Sequence, residues 1–115
     1  MKRTFVLLAM LVAGSAGAEG FPCSEPQYAF LKDATQDELK YEFCRATRQG
    51  LSNRNSFQST EQMIAEKKSL NVYSPEDREK QKLELKAAHS CEAAARSISA
   101  TLARRFKTSP RGSCA

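Results

Sequence analysis

The sequence predicts an all-α protein: a small bundle of three to four helices, stapled by disulfides, with one long helix at its C-terminal end. Three observations support this class. An apolar stripe with helical spacing runs through the last third of the chain, and four cysteines form an even set in a small chain that begins like an exported protein. Strand-like alternation of apolar and polar residues is absent, and so is any visible heptad run.

The long helix is predicted over residues 74–107. Ser74 is a favourable N-cap, Pro75 suits the first helical position, and Pro110 with Gly112 prevents continuation of the helix. We expect the apolar stripe of this helix to face the core. Its members recur at steps of about three and four: Leu83, Ala87, Cys91, Ala94, Ala95, Ile98, Leu102 and Phe106.

Shorter helices are expected before the long one. Ser24 predicts the start of a two-turn helix that ends near residue 34. The sequence Thr35-Gln36-Asp37-Glu38 has the pattern of a capping box and opens a second helix, which Gly50 is expected to stop. Residues 52–60 are polar and predict a loop, and a third helix is expected over residues 59–70.

Residues 1–18 are predicted to be a cleaved signal peptide. A short basic start precedes a short apolar run, and Ala16-Gly17-Ala18 matches an A-x-A cleavage site. The apolar run is too short for a comfortable membrane span. The expected mature chain, residues 19–115, is a single small helical domain, exported to the periplasm or secreted by a bacterial-type signal, with no transmembrane span.

The four cysteines are Cys23, Cys44, Cys91 and Cys114, and we expect them to form two structural disulfides, as is usual in small exported domains. They show neither a C-x-x-C pair nor the paired ligands of a zinc site. We prefer the pairing Cys44–Cys91 with Cys23–Cys114, because Cys44 and Cys91 lie on or beside the apolar faces of helices. The pairing Cys23–Cys44 with Cys91–Cys114 is the main alternative, because the first two flank a predicted helical hairpin.

No catalytic residue, metal site or cofactor is predicted. His89, the single histidine, falls on the polar side of the long helix. A nucleophile elbow and a glycine-rich phosphate loop are missing from the sequence. A small secreted enzyme with a site outside known motifs, and a metal or redox carrier using the cysteines, therefore stand only as alternatives to a binding role.

The charge distribution suggests where such binding takes place. Residues 19–92 have a net charge of −2, whereas residues 93–115 have a net charge of +5 and contain no acidic residue. This asymmetry favours an anionic partner, such as an envelope or extracellular protein or an anionic surface. Nucleic acid is not expected for an exported chain without interleaved aromatics. The candidate binding residues are Arg96, Arg104, Arg105, Phe106, Lys107 and Arg111.

Overall fold

The computed structural model describes residues 21–112 and 114, and the predicted signal segment lies outside them. Within the described residues there are three helices and no strand: α1 (Tyr28–Asp33), α2 (Gln36–Ser69) and α3 (Pro75–Phe106). The two long helices pack against each other as an antiparallel hairpin, and α1 contacts α3. The predicted all-α, disulfide-stapled architecture with a long C-terminal helix is confirmed.

The expected break in the middle of α2 is wrong. Gly50 and the polar residues 52–60 lie inside one continuous helix rather than at a stop and in a loop. Gly50 faces α3, where a Cβ atom added to it would lie 3.3 Å from the Cβ of Cys91, so the glycine permits close helix contact. Asn53 and Thr60 are also buried. Tertiary packing thus overrides the weak helix propensity of these residues.

A heptad-like repeat, which the sequence does not make obvious, organises the hairpin. Positions 39, 43, 46, 50, 53, 57, 60 and 64 of α2 are buried or half-buried, and their spacing alternates between three and four. Positions 81, 84, 88, 91, 95, 98 and 102 of α3 are buried with the same alternation. Many of these positions hold Gly, Ala, Asn, Thr, Gln or Glu, and this composition hides the repeat.

The predicted stripe on α3 is confirmed from Ala87 to Leu102 and is wrong at Leu83. Ile98 and Leu102 are buried with Ala34 and Leu39, in a core cluster against which Phe106 packs. Leu83, in contrast, is 53% exposed, and Glu84 is buried in its place with one carboxylate oxygen that has no hydrogen-bond partner. One residue step turns a helix by about 100°, so the seam defined by the heptad spacing excludes Leu83.

The predicted helix starts at Thr35 and at Ser74 are confirmed. Thr35 forms the predicted capping box with Glu38, since each side chain bonds the backbone N–H of the other residue. Ser74 is the N-cap of α3. The first helix, however, begins at Tyr28 rather than just after Ser24, because residues 21–27 form an arm without regular structure that is tied to the hairpin.

The turn between α2 and α3 is a Schellman motif. The backbone N–H of Val72 donates to the carbonyl of Lys67, and that of Asn71 donates to the carbonyl of Lys68. Asn71 adopts a positive φ of 61°, as the motif requires. An ion pair between Lys67 and Asp77, with an N–O distance of 3.1 Å, holds the two helices together at this end. Among the described residues, no helix is long and apolar enough to cross a membrane.

Candidate functional site

The disulfides connect Cys23 to Cys91 and Cys44 to Cys114. All four cysteines are paired as expected, but the preferred pairing and its main alternative are both wrong. The register of the hairpin explains why, because α3 places Cys91 opposite Gly50. Cys44 lies six residues earlier, which is about 9 Å along the helix axis and beyond the reach of a disulfide. Cys44 is therefore available to hold the C-terminal tail, and Cys91 to hold the N-terminal arm.

The N-terminal arm is fixed by a buried amide as well as by its disulfide. The side chain of Asn53 accepts a hydrogen bond from the backbone N–H of Phe21 at 3.1 Å and donates to its carbonyl at 2.9 Å. The backbone N–H of Cys23 donates to the hydroxyl of Ser90 at 3.0 Å. The sequence does not reveal the role of Asn53, although a buried asparagine at a heptad position is a known device for fixing register.

The C-terminal tail, residues 108–112 together with Cys114, completes a groove on the surface of the hairpin, which we call the tail groove. The groove encloses about 490 Å³, within the range of sites that hold small ligands or a few side chains. One wall is formed by α2, the other by α3, and the tail contributes Ser109, Pro110 and Arg111. The helices supply Phe43, Ala46, Thr47, Gly50, Leu51, Arg54, Glu92, Ala95, Arg96 and Ser99.

The floor and rim of the tail groove are largely apolar. Gly50, Ala46 and Ala95 are buried and small, so they leave space between the helices. Pro110 of the tail is fully buried. Leu51 is 62% exposed although it lines this concave surface. An exposed leucine beside a groove offers apolar area that a ligand can cover.

The charged residues of the tail groove leave it positive. Arg54 and Glu92 form a bidentate pair across the helices, with N–O distances of 2.7 and 2.8 Å. Hydrogen bonds from Arg54 lower the pKa of the Glu92 carboxyl, and the nearby charge of Arg96 lowers it further, so Glu92 stays ionised. Neither Arg96 nor Arg111 forms an ion pair with an acidic residue of the described chain. Both arginines are exposed.

The other predicted binding residues lie in two different environments. Arg105 donates to the carbonyl of Leu31 at 2.9 Å and lies over the ring of Phe106, 4.7 Å from its centroid. These two side chains therefore help to dock α1. Arg104 and Lys107 are exposed at the end of α3, without an acidic partner in the described chain.

A second groove lies beneath the N-terminal arm and encloses about 500 Å³. Its walls include Phe30, Ala94 and Ile98, but its charged residues largely offset one another. Glu42 and Arg45 form an ion pair there with an N–O distance of 2.8 Å. The second groove therefore lacks the excess positive charge of the tail groove and resembles an ordinary gap between the N-terminal arm and the helices.

His89 is exposed, as its position on the polar face predicts. Among residues 21–112 and 114, no group of three or more His, Cys, Asp or Glu side chains is placed to hold a metal ion.

Comparison with known proteins does not assign the chain to a family. No family model matches the sequence, and no curated protein or solved structure resembles it at a significant level.

Proposed function

We propose that this chain is an exported helical binding protein, periplasmic or secreted, which docks through its basic C-terminal end on an anionic partner. The partner is an envelope or extracellular protein or an anionic surface. One observation carries the proposal: four exposed cations, Arg96, Arg104, Lys107 and Arg111, lie in the last turns of α3 and in the tail with no acidic partner in the described chain.

The two disulfides support the proposed export of the chain. Two disulfides are typical of chains that fold in an oxidising compartment. Cleavage of the predicted signal peptide predicts an exported chain that begins at Glu19, which N-terminal sequencing of exported material tests. A chain that retains Met1 after export contradicts this part of the proposal.

Two of the predicted binding residues are unsuitable for a test of binding because they also hold the fold. Arg105 and Phe106 are occupied in docking α1, so replacing them would disturb the fold as well as any binding surface. The four exposed cations, Arg96, Arg104, Lys107 and Arg111, are therefore the residues to change. Exposed charges attract through screened and additive interactions, and screening becomes strong where the Debye length falls to about 8 Å.

The test uses two defined anionic probes, poly-L-glutamate and vesicles of phosphatidylglycerol with phosphatidylcholine. We expect the mature protein to bind at least one probe at low salt and to lose affinity as salt rises. Changing Arg96, Arg104, Lys107 and Arg111 together to Gln should abolish most of this binding and leave the helical circular dichroism unchanged.

The control removes charge from the other half of α3. Lys80→Gln with Lys82→Gln lies far from the tail, and Lys82 has only an exposed ion pair with Glu79. This variant should bind almost as well as the wild type. Equal binding by the wild type and the quadruple variant, at low and high salt, contradicts the proposal.

A further inference from the structure

The tail groove differs from the rest of the basic end because it combines charge with an apolar concave surface. Arg96 and Arg111 line it without an ion-pair partner in the described chain, whereas Arg104 and Lys107 do not line it. The exposed Leu51 lies at the same groove. A ligand that suits this surface carries both a carboxylate and a bulky apolar group.

The boundaries of the tail groove limit the size and shape of its occupant. The Arg54–Glu92 pair spans the two helices, and Ser109 and Pro110 of the tail form a further boundary. The backbone N–H of Arg111 donates to the hydroxyl of Ser109 at 3.3 Å, which fixes the local turn of the tail. A volume of about 490 Å³ accommodates a few side chains. A flat bilayer surface cannot fill a groove between two helices, whereas a peptide segment can.

A disulfide and the buried Pro110 hold the tail in position. Residues 108–110 have no helix or strand to hold them, and Cys44–Cys114 ties the end of the tail to α2. Pro110 and Arg111 reach the groove as part of this tethered segment. We expect loss of the disulfide to release the boundary that the tail adds to the groove, while α2 and α3 stay packed together and Cys23–Cys91 still holds the arm.

We infer that the tail groove recognises an acidic peptide segment that carries a bulky apolar side chain, and that the Cys44–Cys114 disulfide is needed to form the site. The inference rests on the proposed function and names the chemistry of its partner. Guanidinium groups suit carboxylates because they donate two parallel hydrogen bonds. Leu51 and the small floor residues contribute the apolar part of the recognition.

The experiment measures fluorescence anisotropy of a labelled peptide, Gly-Asp-Glu-Phe-Asp-Glu-Gly, with the mature oxidised protein. Two further peptides serve as controls, one with serine in place of phenylalanine and one with amides in place of all carboxylates. We expect both control peptides to bind at least about tenfold more weakly, because each lacks one half of the recognised chemistry.

Matched variants separate the groove from the general positive charge. Arg96→Gln with Arg111→Gln removes two charges from the groove, and Arg104→Gln with Lys107→Gln removes two charges outside it. We expect the first pair to weaken binding about tenfold or more and the second pair by about twofold. Leu51→Ser should weaken binding about tenfold. Leu83→Ser should not, because Leu83 is 53% exposed but lies away from the groove.

The disulfide part of the inference has its own variant. Cys44→Ala with Cys114→Ala, measured well below its melting temperature, should weaken peptide binding about tenfold while its helical circular dichroism stays near that of the wild type. Unchanged binding by this variant overturns the role of the tail.

The remaining outcomes separate the inference from the proposed function. If both charge pairs weaken binding equally and Leu51→Ser has no effect, the groove is not the site, and the proposed anionic docking still stands. If the Arg96 and Arg111 variant loses vesicle binding but keeps peptide binding, the peptide inference is overturned in favour of a membrane surface. If no acidic peptide or vesicle binds even at low salt, the proposed function fails together with the inference.

Discussion

Removing the Cys44–Cys114 disulfide, which holds the tail, tests how strongly the two disulfides stabilise this small protein. The change is Cys44→Ala with Cys114→Ala, and alanine is chosen because Cys44 is 4% exposed and a serine there would bury a hydroxyl. The sequence separation of the two cysteines is 70 residues. In the chain-entropy description, closing a loop of that length contributes about 4.4 kcal/mol at 25 °C.

The second disulfide changes this value only slightly. With Cys23–Cys91 intact, the shortest path between Cys44 and Cys114 runs back to Cys23, across the link, and on from Cys91, about 44 residues in all. The same description then gives about 4.0 kcal/mol, because the loop entropy depends only on the logarithm of the length. The path that closes Cys23–Cys91 has the same length, so both links are expected to restrict the unfolded chain equally.

Thermal unfolding followed by circular dichroism measures the effect. For a domain of this size, a loss of about 4 kcal/mol corresponds to a fall in Tm of roughly 15–30 °C. Cys23→Ala with Cys91→Ala should fall at least as far, because Cys91 is fully buried between the helices at Gly50 and its loss also removes packing. Non-reducing peptide mapping verifies the remaining link in each variant.

Two results would refute this reasoning. A fall of less than about 5 °C for the tail variant corresponds to about 1 kcal/mol and contradicts the loop-entropy account. A larger fall for the tail variant than for the Cys23 and Cys91 variant contradicts the placement of Cys91 in the seam.

Other predictions concern single side chains. Glu84→Leu should raise the free energy of unfolding by about 1–3 kcal/mol in urea denaturation, because it removes a buried carboxylate oxygen that has no hydrogen-bond partner. A lower free energy of unfolding would contradict this prediction. Lys107→Gly should raise Tm by a few degrees, which corresponds to about 0.5–1 kcal/mol, because Lys107 caps α3 at a positive φ of 56°. A lower Tm would show that contacts of the lysine side chain outweigh the backbone strain. Hydrogen bonds from Lys67 lower the pKa of Asp77, so the pair stabilises the fold above about pH 4 and this contribution is lost as pH falls through the lowered pKa. Asp77→Asn should therefore flatten the acid side of the stability profile, and an unchanged profile would show that the pair contributes nothing.

Local chemistry explains why the ends of the helices could be predicted from the sequence. The capping box at Thr35 and the start of α3 at Ser74 depend on residues within one turn, and both are present in the fold. Gly50 and the polar stretch that follows it carry local signals for a stop and a loop. These signals are overridden because their residues occupy heptad positions against α3, which only the paired helix reveals.

The pairing of the cysteines and the assembly of the tail groove depend on register, which composition does not contain. The charge asymmetry of the sequence draws attention to Arg96 and Arg111. Both lie outside the last turn of α3, where the helix dipole would account for a cation. Their presence in one groove follows from the return of the tail to Cys44, and no local pattern indicates that return. The 3–4 spacing of small and polar residues along α2 is the signal that could have revealed the hairpin.

The most direct test of the account is an NMR titration of the ¹⁵N-labelled mature protein with the acidic, phenylalanine-containing peptide. We expect the largest amide shift changes at the tail groove, at Gly50, Leu51, Arg96 and Arg111. These changes should disappear when the peptide carboxylates are replaced by amides. Changes confined to Lys107 and its neighbours at the end of α3, or to the turn between α2 and α3, would contradict this expectation.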